Sequence, residues 1–362
     1  MLALLMLTGC AHRRDLLVIA PHPDDEALMA SGYMAKARAE GRSVSVIIIT
    51  NGDFTCERDG YLREAESVRA LESLGVTDVH FLGYPDGALA RLGTRALDPL
   101  EHRDPTGECV ARTGTYADRS EGRLDEHTAR TGAPGEWTAE ALTDDLVALL
   151  GRLRPREVVL PHAIDDHPDH AATYIFFRRA LDRLELGVPV PQRVLRSVVH
   201  AGRCWPSDCK TNYTPALPMP PLPKALAGYA PSVRLKIDAD AKLRVINTYV
   251  SQSPVDMEAD WLASFARTDE VFWPETYESE DGHWVQSPDA GEATMLEVPA
   301  SWNGYDFTET GVQLEGRTIR SWLPTKEIYV RREKVGAFYE WSAWGHEGFI
   351  AGWIASSPST SP

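Results

Sequence analysis

Short apolar segments that alternate with helical segments are the feature that most constrains how this chain can fold. Val44–Thr50 reads VSVIIIT, an apolar and largely β-branched run. Such a run is typical of a parallel strand buried on both faces. Leu16–Ala20 and Val79–Leu82 are similar, and the segments between the three, Glu26–Glu40 and Tyr61–Leu74, have helical composition. This alternation predicts an α/β fold.

The same pattern continues to about residue 200, with predicted helices and strands at Thr138–Leu153, Val158–Leu160, Ala171–Leu184 and Val194–His200. We therefore expect a Rossmann-like, mostly parallel sheet with helices on both faces. Ligands of such sheets bind at the carboxyl ends of the strands. Four loops rich in His, Asp or Asn should meet there: His22–Asp25, Asn51–Asp53, Tyr84–Asp86 and His162–His170.

The last third of the chain has a different pattern. Residues 211–231 are rich in proline and are predicted to form a surface loop, followed by a helix over Asp238–Val250. From about Trp273, short alternating stretches are separated by Gly, Asp and Pro, which indicates a small β-rich appendage. The predicted organisation is a signal and tether over 1–14, the α/β domain over 15–272 and a β-rich extension over 273–362.

The first ten residues, MLALLMLTGC, are apolar and end in Leu7-Thr8-Gly9-Cys10. This ending resembles the lipobox of bacterial lipoproteins, which are cut before the cysteine and lipidated on it. It predicts cleavage before Cys10, export and a lipid anchor, since the run is too short to span a bilayer. A signal normally starts with basic residues, and none precedes Leu2. The alternative is an ordinary N-terminus in a cytoplasmic protein.

Five cysteines occur in the chain. With Cys10 lipidated, four remain, which allow three pairings. The short spacing of Cys204 and Cys209 favours a bridge between them, leaving Cys56 and Cys109 for a second one, as an oxidising compartment would permit. The alternative is four unrelated thiols.

The net charge excludes one broad class of partner. Lys and Arg number 37 against 53 Asp and Glu, which gives −16. Long-range repulsion makes such a chain a poor ligand for nucleic acid, and leaves the lipid anchor as its only predicted contact with a membrane. The chain also contains no phosphate-binding glycine motif of the G-x-G-x-x-G or P-loop type.

Two polar motifs follow apolar strands: Pro21–Glu26 (PHPDDE) comes directly after one, and His167–His170 (HPDH), inside PHAIDDHPDH, comes after another. Charged side chains in such places are costly unless they are solvated, paired or bound to metal. Two His and one carboxylate are the ligand set of many catalytic zinc sites, and a neighbouring carboxylate can act as general base. Capping of a helix would explain the acids of the first motif, but not the histidines.

The two motifs resemble those of the PIG-L, or LmbE-like, zinc N-deacetylases. APHPDDE at Ala20–Glu26 and HPDH at His167–His170 stand in that family's order, with Thr50–Asp53 and Leu82–Gly87 (LGYPDG) as further similarities. The resemblance covers residues 15 to about 270. It implies hydrolysis of an N-acetyl group, usually on a glucosamine-type sugar, to give a free amine and acetate.

The resemblance also implies roles for individual residues. His22, Asp25 and His170 would bind Zn²⁺, Asp24 would be the general base, and His167 would polarise the amide carbonyl or steady the oxyanion. Asp169 would hold a histidine by hydrogen bonding, and Arg63 and Asp86 would lie around the sugar. Two His and one Asp would accept another divalent transition metal in similar geometry.

The chain departs from the family at Asp165, where some members carry a tyrosine. Asp165 and Asp166 would either favour a cationic substrate or face water, and we expect them to face water. His162 and His200 follow strands and could approach the site, but we expect them to be structural. The leading function is a zinc-dependent hydrolase that deacetylates an N-acylated sugar or glycoconjugate. The alternatives are an amidase of the same mechanism that acts on a non-sugar amide, and a non-catalytic carbohydrate-binding lipoprotein.

Overall fold

The computed structural model describes most of the chain up to residue 275. The described ranges are 13–54, 56–92, 112–162, 165–185, 187–201, 205–207, 217–223, 231–252 and 261–275. Beyond them it describes the backbone of seven strands between 277 and 356.

One mixed sheet of seven strands forms the centre of the described part. Its strands are β1 (Leu16–Ala20), β2 (Val44–Thr50), β3 (Asp78–Tyr84), β4 (Glu157–Pro161), β5 (Arg193–Ser197), β6 (Val233–Lys236) and β7 (Asp269–Glu275). Their order is β3-β2-β1-β4-β5-β7-β6. The first five strands are parallel, and β7 runs antiparallel to both β5 and β6. The predicted α/β fold with a mostly parallel sheet is confirmed.

Helices connect these strands. They are α1 (Asp25–Ala39), α2 (Glu57–Ser73), α3 (Glu126–Thr131), α4 (Ala139–Leu153), α5 (Pro168–Asp182) and α6 (Ala239–Ile246). Over the ranges that the structure describes, no helix combines the length and apolar character needed to cross a membrane.

The apolar strands occupy the centre of the core. Every residue of β1 and β2 is buried, and Val18 pairs with Val46 on one side and Val159 on the other. Because both faces of these strands are covered, charged side chains would be costly inside them, and β1 and β2 contain none. The chemistry of the chain is thereby restricted to the loops at the sheet edge.

Helix α5 begins earlier than predicted. It starts at Pro168, not at Ala171, and His167 is its N-cap. Proline suits the first helical position because that residue needs no backbone N–H donor. The HPDH motif therefore forms the first turn of a helix, where the composition alone indicated a loop.

Other predicted ends also shift. The predicted strand Val194–His200 ends at Ser197, and the predicted helix Asp238–Val250 ends at Ile246. Strand β7 was not predicted because it contains three acids, which are buried. Each is paired with a base: Asp269 with Arg234, Glu270 with Lys242 and Glu275 with Arg196.

Beyond the main sheet, all the described backbone is antiparallel β-structure, in agreement with the predicted β-rich appendage. Its strands are β8 (Tyr277–Glu280), β9 (His283–Gln286), β10 (Val312–Leu314), β11 (Arg317–Ile319), β12 (Tyr329–Val335), β13 (Phe338–Gly345) and β14 (Gly348–Ser356). They form two pairs and one three-stranded sheet. Strand β7 crosses the predicted boundary at 272, so the main sheet extends to Glu275. The domain limits themselves stay predictions.

Candidate active site

The four polar loops meet at the carboxyl edge of the sheet. The Asp169 carboxylate accepts hydrogen bonds from the backbone N–H of Gly87 at 2.7 Å and of Leu89 at 3.0 Å. The Asp86 N–H donates to Asp53 Oδ1 at 3.0 Å. Hydrogen bonds thus join the loops after β2, β3 and β4. The loop after β1 contacts them through His22, whose Nε2 lies near Asp86 and Asp169.

The candidate metal ligands converge on a single carboxylate oxygen. His22 Nδ1 lies 3.0 Å and His170 Nε2 3.1 Å from Asp25 Oδ2. All three residues are buried. His170 Nε2 is also outside hydrogen-bond geometry, so this buried nitrogen has no hydrogen-bond partner among the described residues. Two imidazole nitrogens and one carboxylate oxygen are donor types that a divalent cation such as zinc binds. The residues present therefore fit a metal ion.

The potential donor atoms extend beyond this trio. Within the described part of the chain, three sets of side chains have donor atoms that all lie within 4.8 Å of one another: His22, His167 and His170; Asp25, His170 and His200; and His22, Asp86 and Asp169. Each set contains at least one of the three predicted ligands. The structure brings together both predicted motifs and adds His200.

Asp24 has an unusual backbone conformation, with φ of 136° and ψ of −33°. A residue with a side chain rarely adopts a positive φ, and such strain persists only where neighbours enforce it. Burial raises the pKa of Asp24 to about 7, with Arg63 opposing the rise and Asp25 adding to it. A carboxylate with a pKa near the operating pH is suited to general base catalysis.

Glu26 contacts the Asp24 backbone. Its Oε2 accepts the Asp24 N–H at 3.0 Å, and its Oε1 accepts the Tyr249 hydroxyl at 2.7 Å. Glu26 is fully buried. No role of Glu26 is predictable from the sequence, because its partner Tyr249 lies more than two hundred residues away. The hydrogen bond from Asp24 identifies Glu26 as a support for the strained turn.

His167 faces the other two motif histidines. Its ring centre lies 4.7 Å from that of His22 and 5.0 Å from that of His170. The Asp169 N–H donates to His167 Nδ1 at 3.3 Å, which assigns the ring proton to Nε2. Burial, with the neighbouring histidines, holds the pKa of His167 well below its usual value. A neutral imidazole that carries its proton on Nε2 can donate it to a developing oxyanion.

Two carboxylates approach the far nitrogen of His22. Asp86 Oδ1 lies 3.0 Å and Asp169 Oδ2 3.2 Å from His22 Nε2. Burial alone would lower the pKa of His22, but Asp86, Asp169 and Asp25 outweigh it and hold this pKa well above the usual value. Carboxylates commonly orient metal-ligating histidines in this way.

Arg63 connects several of these groups from a buried position. One guanidinium nitrogen donates to Pro23 O at 3.1 Å and Asp24 Oδ2 at 3.3 Å. The other donates to Gly52 O at 3.1 Å and Asp86 Oδ2 at 3.4 Å. A Cβ on Gly52, which has φ of +69°, would lie 2.5 Å from the guanidinium. Arg63 thus braces three loops, and its role near a sugar stays a prediction.

Asp165 does not face water, so that expectation is wrong. It is buried, and its Oδ2 accepts the Val199 N–H at 2.6 Å and the His200 N–H at 3.1 Å. The same oxygen lies 3.2 Å from His170 Nδ1. Backbone donors at the end of β5 satisfy this carboxylate, and they were not visible from the sequence around it. Asp166 is likewise buried.

The strand-end histidines His162 and His200 have the same expectation from the sequence, but the structure gives them different surroundings. His162 is buried and meets the edge of Trp273 at 5.6 Å, as expected of a structural residue. His200 instead lies 4.9 Å from His170, between ring centres, and stacks on Trp261. Burial lowers the pKa of His200 to about 4. The sequence signal for His200 was its position after β5, the strand that lies next to β4, because the HPDH motif follows β4.

Cys56, which precedes α2, is disulfide-bonded. Cys109, Cys204 and Cys209 lie outside the described residues, so the proposed pairing remains a prediction. Cys10 and the predicted lipobox also lie outside them.

Comparison with known families and curated proteins gives a consistent result. A family model described as PIG-L, GlcNAc-PI de-N-acetylase, matches residues 17–181. A 1D-myo-inositol 2-acetamido-2-deoxy-alpha-D-glucopyranoside deacetylase of Streptomyces avermitilis is 29% identical over 200 residues, 49% of this chain and 58% of the relative. The deacetylase of the same name from Saccharomonospora viridis is 31% identical over 175 residues, which are 47% of this chain and 59% of that relative. The match thus spans less than two thirds of either relative.

Two solved structures are also similar. The N,N'-diacetylchitobiose deacetylase of Pyrococcus horikoshii has a TM-score of 0.45 and 17% identity, over 72% of this chain and 83% of its own. The conserved protein TT1542 of Thermus thermophilus has a TM-score of 0.42 and 25% identity, over 66% of this chain and 80% of its own.

Proposed function

We propose, from the premise that this chain belongs to the PIG-L (LmbE-like) family, that it is a metal-dependent hydrolase that removes an N-acetyl group from an amino-sugar-containing substrate. The observation that carries this proposal is the convergence of His22 Nδ1 and His170 Nε2 on Asp25 Oδ2, at 3.0 and 3.1 Å. These three residues would hold Zn²⁺ or a similar divalent ion. When bound, the ion would lower the pKa of water and polarise the acyl carbonyl.

Asp24 is proposed to be the general base. Its carboxylate would accept a proton as water adds to the acyl carbon, and that proton would supply the departing amine when the C–N bond breaks. The products are then acetate and a free amine. The strained backbone of Asp24 supports this role, because the two neighbouring carboxylates have different partners. Asp24 pairs with Arg63, whereas Asp25 contacts His22 and His170.

His167 is proposed to stabilise the oxyanion. Because its Nδ1 accepts a backbone hydrogen bond, its Nε2–H can donate to the carbonyl oxygen as negative charge develops there. Pre-oriented donors of this kind are worth about 3–4 kcal/mol of barrier lowering. The Asp169 carboxylate, held by two backbone N–H groups, would keep His22 in its ligating orientation.

The acetamido-sugar substrate is supported by the curated relatives, whose name specifies a 2-acetamido-2-deoxy-glucopyranoside. Asp86 and Arg63 would lie close to the sugar. We extend the proposal to export with a lipid anchor at Cys10, which rests on the sequence alone. We propose an N-acylated sugar or glycoconjugate as the partner, and the net charge of −16 weighs against nucleic acid.

The function is tested by amine release from purified full-length protein. The substrates are a panel of N-acetylated sugars and, as a second arm, non-sugar acetamides. We expect release from at least one sugar, its loss after treatment with a chelator and its return with Zn²⁺ or Co²⁺. Release from non-sugar amides alone would show that the substrate is a non-sugar amide and not an amino sugar. No chelator-sensitive release from any amide would overturn the proposal.

A matched control uses a histidine outside the site. His80 lies near the start of β3 and pairs with Asp78 and Glu126, at the opposite end of that strand from the site. His80→Asn should keep full activity and metal content, whereas His170→Asn should lose both. Equal loss in the two variants would indicate a general effect on folding and not a metal site.

A further inference from the structure

Four histidine rings surround the candidate metal site, and the two motifs supply only three of them. The ring centres of His22, His167, His200 and His170 form a closed quadrilateral. Its sides are 4.7 Å, 5.2 Å, 4.9 Å and 5.3 Å, in that order. The fourth ring, His200, comes from the segment that follows β5.

The donor atoms of His200 lie within reach of the same ion. One ring nitrogen of His200, one of His170 and one Asp25 oxygen are all within 4.8 Å of each other. Ligands of one zinc ion, bound at about 2.0–2.2 Å, have donor atoms about 3–4 Å apart. His170 Nε2, which has no hydrogen bond within the described part of the chain, marks the point that they share.

The surroundings of His200 hold its backbone in place. Its N–H donates to Asp165 Oδ2 at 3.1 Å, and its carbonyl accepts the Asp166 N–H at 2.9 Å. Asp165 Oδ2 also lies 3.2 Å from His170 Nδ1. The Asp165 carboxylate therefore orients His170, a predicted ligand, and also positions His200. Carboxylates in contact with metal-ligating histidines commonly have this function.

The ring plane of His200 is also held. It stacks on Trp261 with centres 5.0 Å apart and 24° between planes. Trp261 Nε1 in turn donates to Trp205 O at 2.9 Å. A ring that is already clamped on one face loses little conformational entropy when its nitrogen edge binds a metal.

We propose that His200 is a fourth protein ligand of the ion held by His22, Asp25 and His170. The site would then offer three imidazoles and one carboxylate to the ion. This inference rests on the proposed metal site, but not on the identity of the substrate. It distinguishes this site from one with three protein ligands and predicts that the ion is bound more tightly than in such a site.

Metal affinity tests the inference without any assay of turnover. The full-length protein is stripped of metal and titrated with Zn²⁺ in competition with a chromophoric chelator. Since loss of residues that only support a ligand already weakens binding about 10–100-fold, His200→Asn should raise the Kd for Zn²⁺ by at least ~10-fold. His80→Asn should leave the Kd unchanged. An unchanged Kd in His200→Asn, with thermal unfolding like that of the wild type, would overturn the proposal.

Cobalt substitution provides a second, direct measurement. In His200→Cys, a thiolate ligand should give a sulfur-to-cobalt charge-transfer band in the near ultraviolet when Co²⁺ is added. The wild type, which has the same five native cysteines, is the matched control and should lack the band. Absence of the band in a folded His200→Cys variant that binds Co²⁺ would refute the inference. Failure of amine release with these metal results intact would refute only the proposed function.

Discussion

Glu26 accepts the backbone N–H of Asp24 through Oε2 at 3.0 Å, two residues back along the chain. The Asp24 conformation that this bond supports has φ of 136°, and such outliers cost about 1–3 kcal/mol. Tyr249 fixes the other Glu26 oxygen from a distant part of the chain. The position of the proposed base therefore depends on the buried carboxylate of Glu26.

The first prediction concerns Glu26→Leu. Leucine has no acceptor for the Asp24 N–H or the Tyr249 hydroxyl, so the turn should relax and displace Asp24. Because a shift of about 1 Å in a catalytic group can cost 10²-fold, kcat should fall about 10–100-fold while KM and zinc content stay near wild type. Tyr249→Phe is the matched control and should cost less, since it leaves the Asp24 bond in place. Wild-type kcat in Glu26→Leu would show that Glu26 does not position the base.

The second prediction separates the two neighbouring aspartates. Asp24→Asn should lower kcat by about 10²–10⁴-fold, because general base catalysis contributes that much. Its zinc content should remain near that of the wild type, since Asp24 is not a proposed ligand. Asp25→Asn should instead lose zinc, as measured by metal analysis after dialysis. Loss of zinc from Asp24→Asn would show that the assignment of the two residues is wrong.

The third prediction is a pH dependence of stability at Glu64. Burial raises the pKa of Glu64 from 4.5 to about 7, so the folded state favours the protonated form. The stability that this group contributes is present below about pH 4.5 and is lost as the pH rises to about 7, by about 3 kcal/mol. Urea unfolding of the wild type and Glu64→Gln between pH 5 and 8 measures it. The variant should gain stability relative to the wild type as the pH rises, and a difference that does not vary with pH would contradict the assignment.

The fourth prediction concerns a buried ion pair away from the site. Lys242 Nζ lies 2.8 Å from Glu270 Oε1 and 2.7 Å from the carbonyl of Leu28, which joins α6, β7 and α1. Lys242→Met should lower the free energy of unfolding by about 3–5 kcal/mol, because it leaves a buried carboxylate without a cation. The double variant Lys242→Met/Glu270→Gln should recover part of the loss in chemical denaturation. A double variant no more stable than the single one would show that the charge is not the cause.

Much of the fold was predictable, because strands β1 to β4 and helices α1 and α4 have strong local patterns. Strands β6 and β7 were not, since the acids Asp269, Glu270 and Glu275 give β7 a polar composition and only distant bases make their burial possible. The same reason explains the error at Asp165. A carboxylate next to a motif gives no local sign of the backbone N–H groups that will satisfy it.

The sequence by itself determined the chemistry at the sheet edge, because HPDDE and HPDH each follow an apolar strand that can place them nowhere else. It determined the residue types that can bind a metal, and it predicted that the four polar loops would meet. Only the tertiary structure decided that His200 joins them and that Glu26 and Tyr249 support Asp24. Those relations depend on which strand lies beside which, and contacts between residues so far apart in the chain exist only once the sheet has formed.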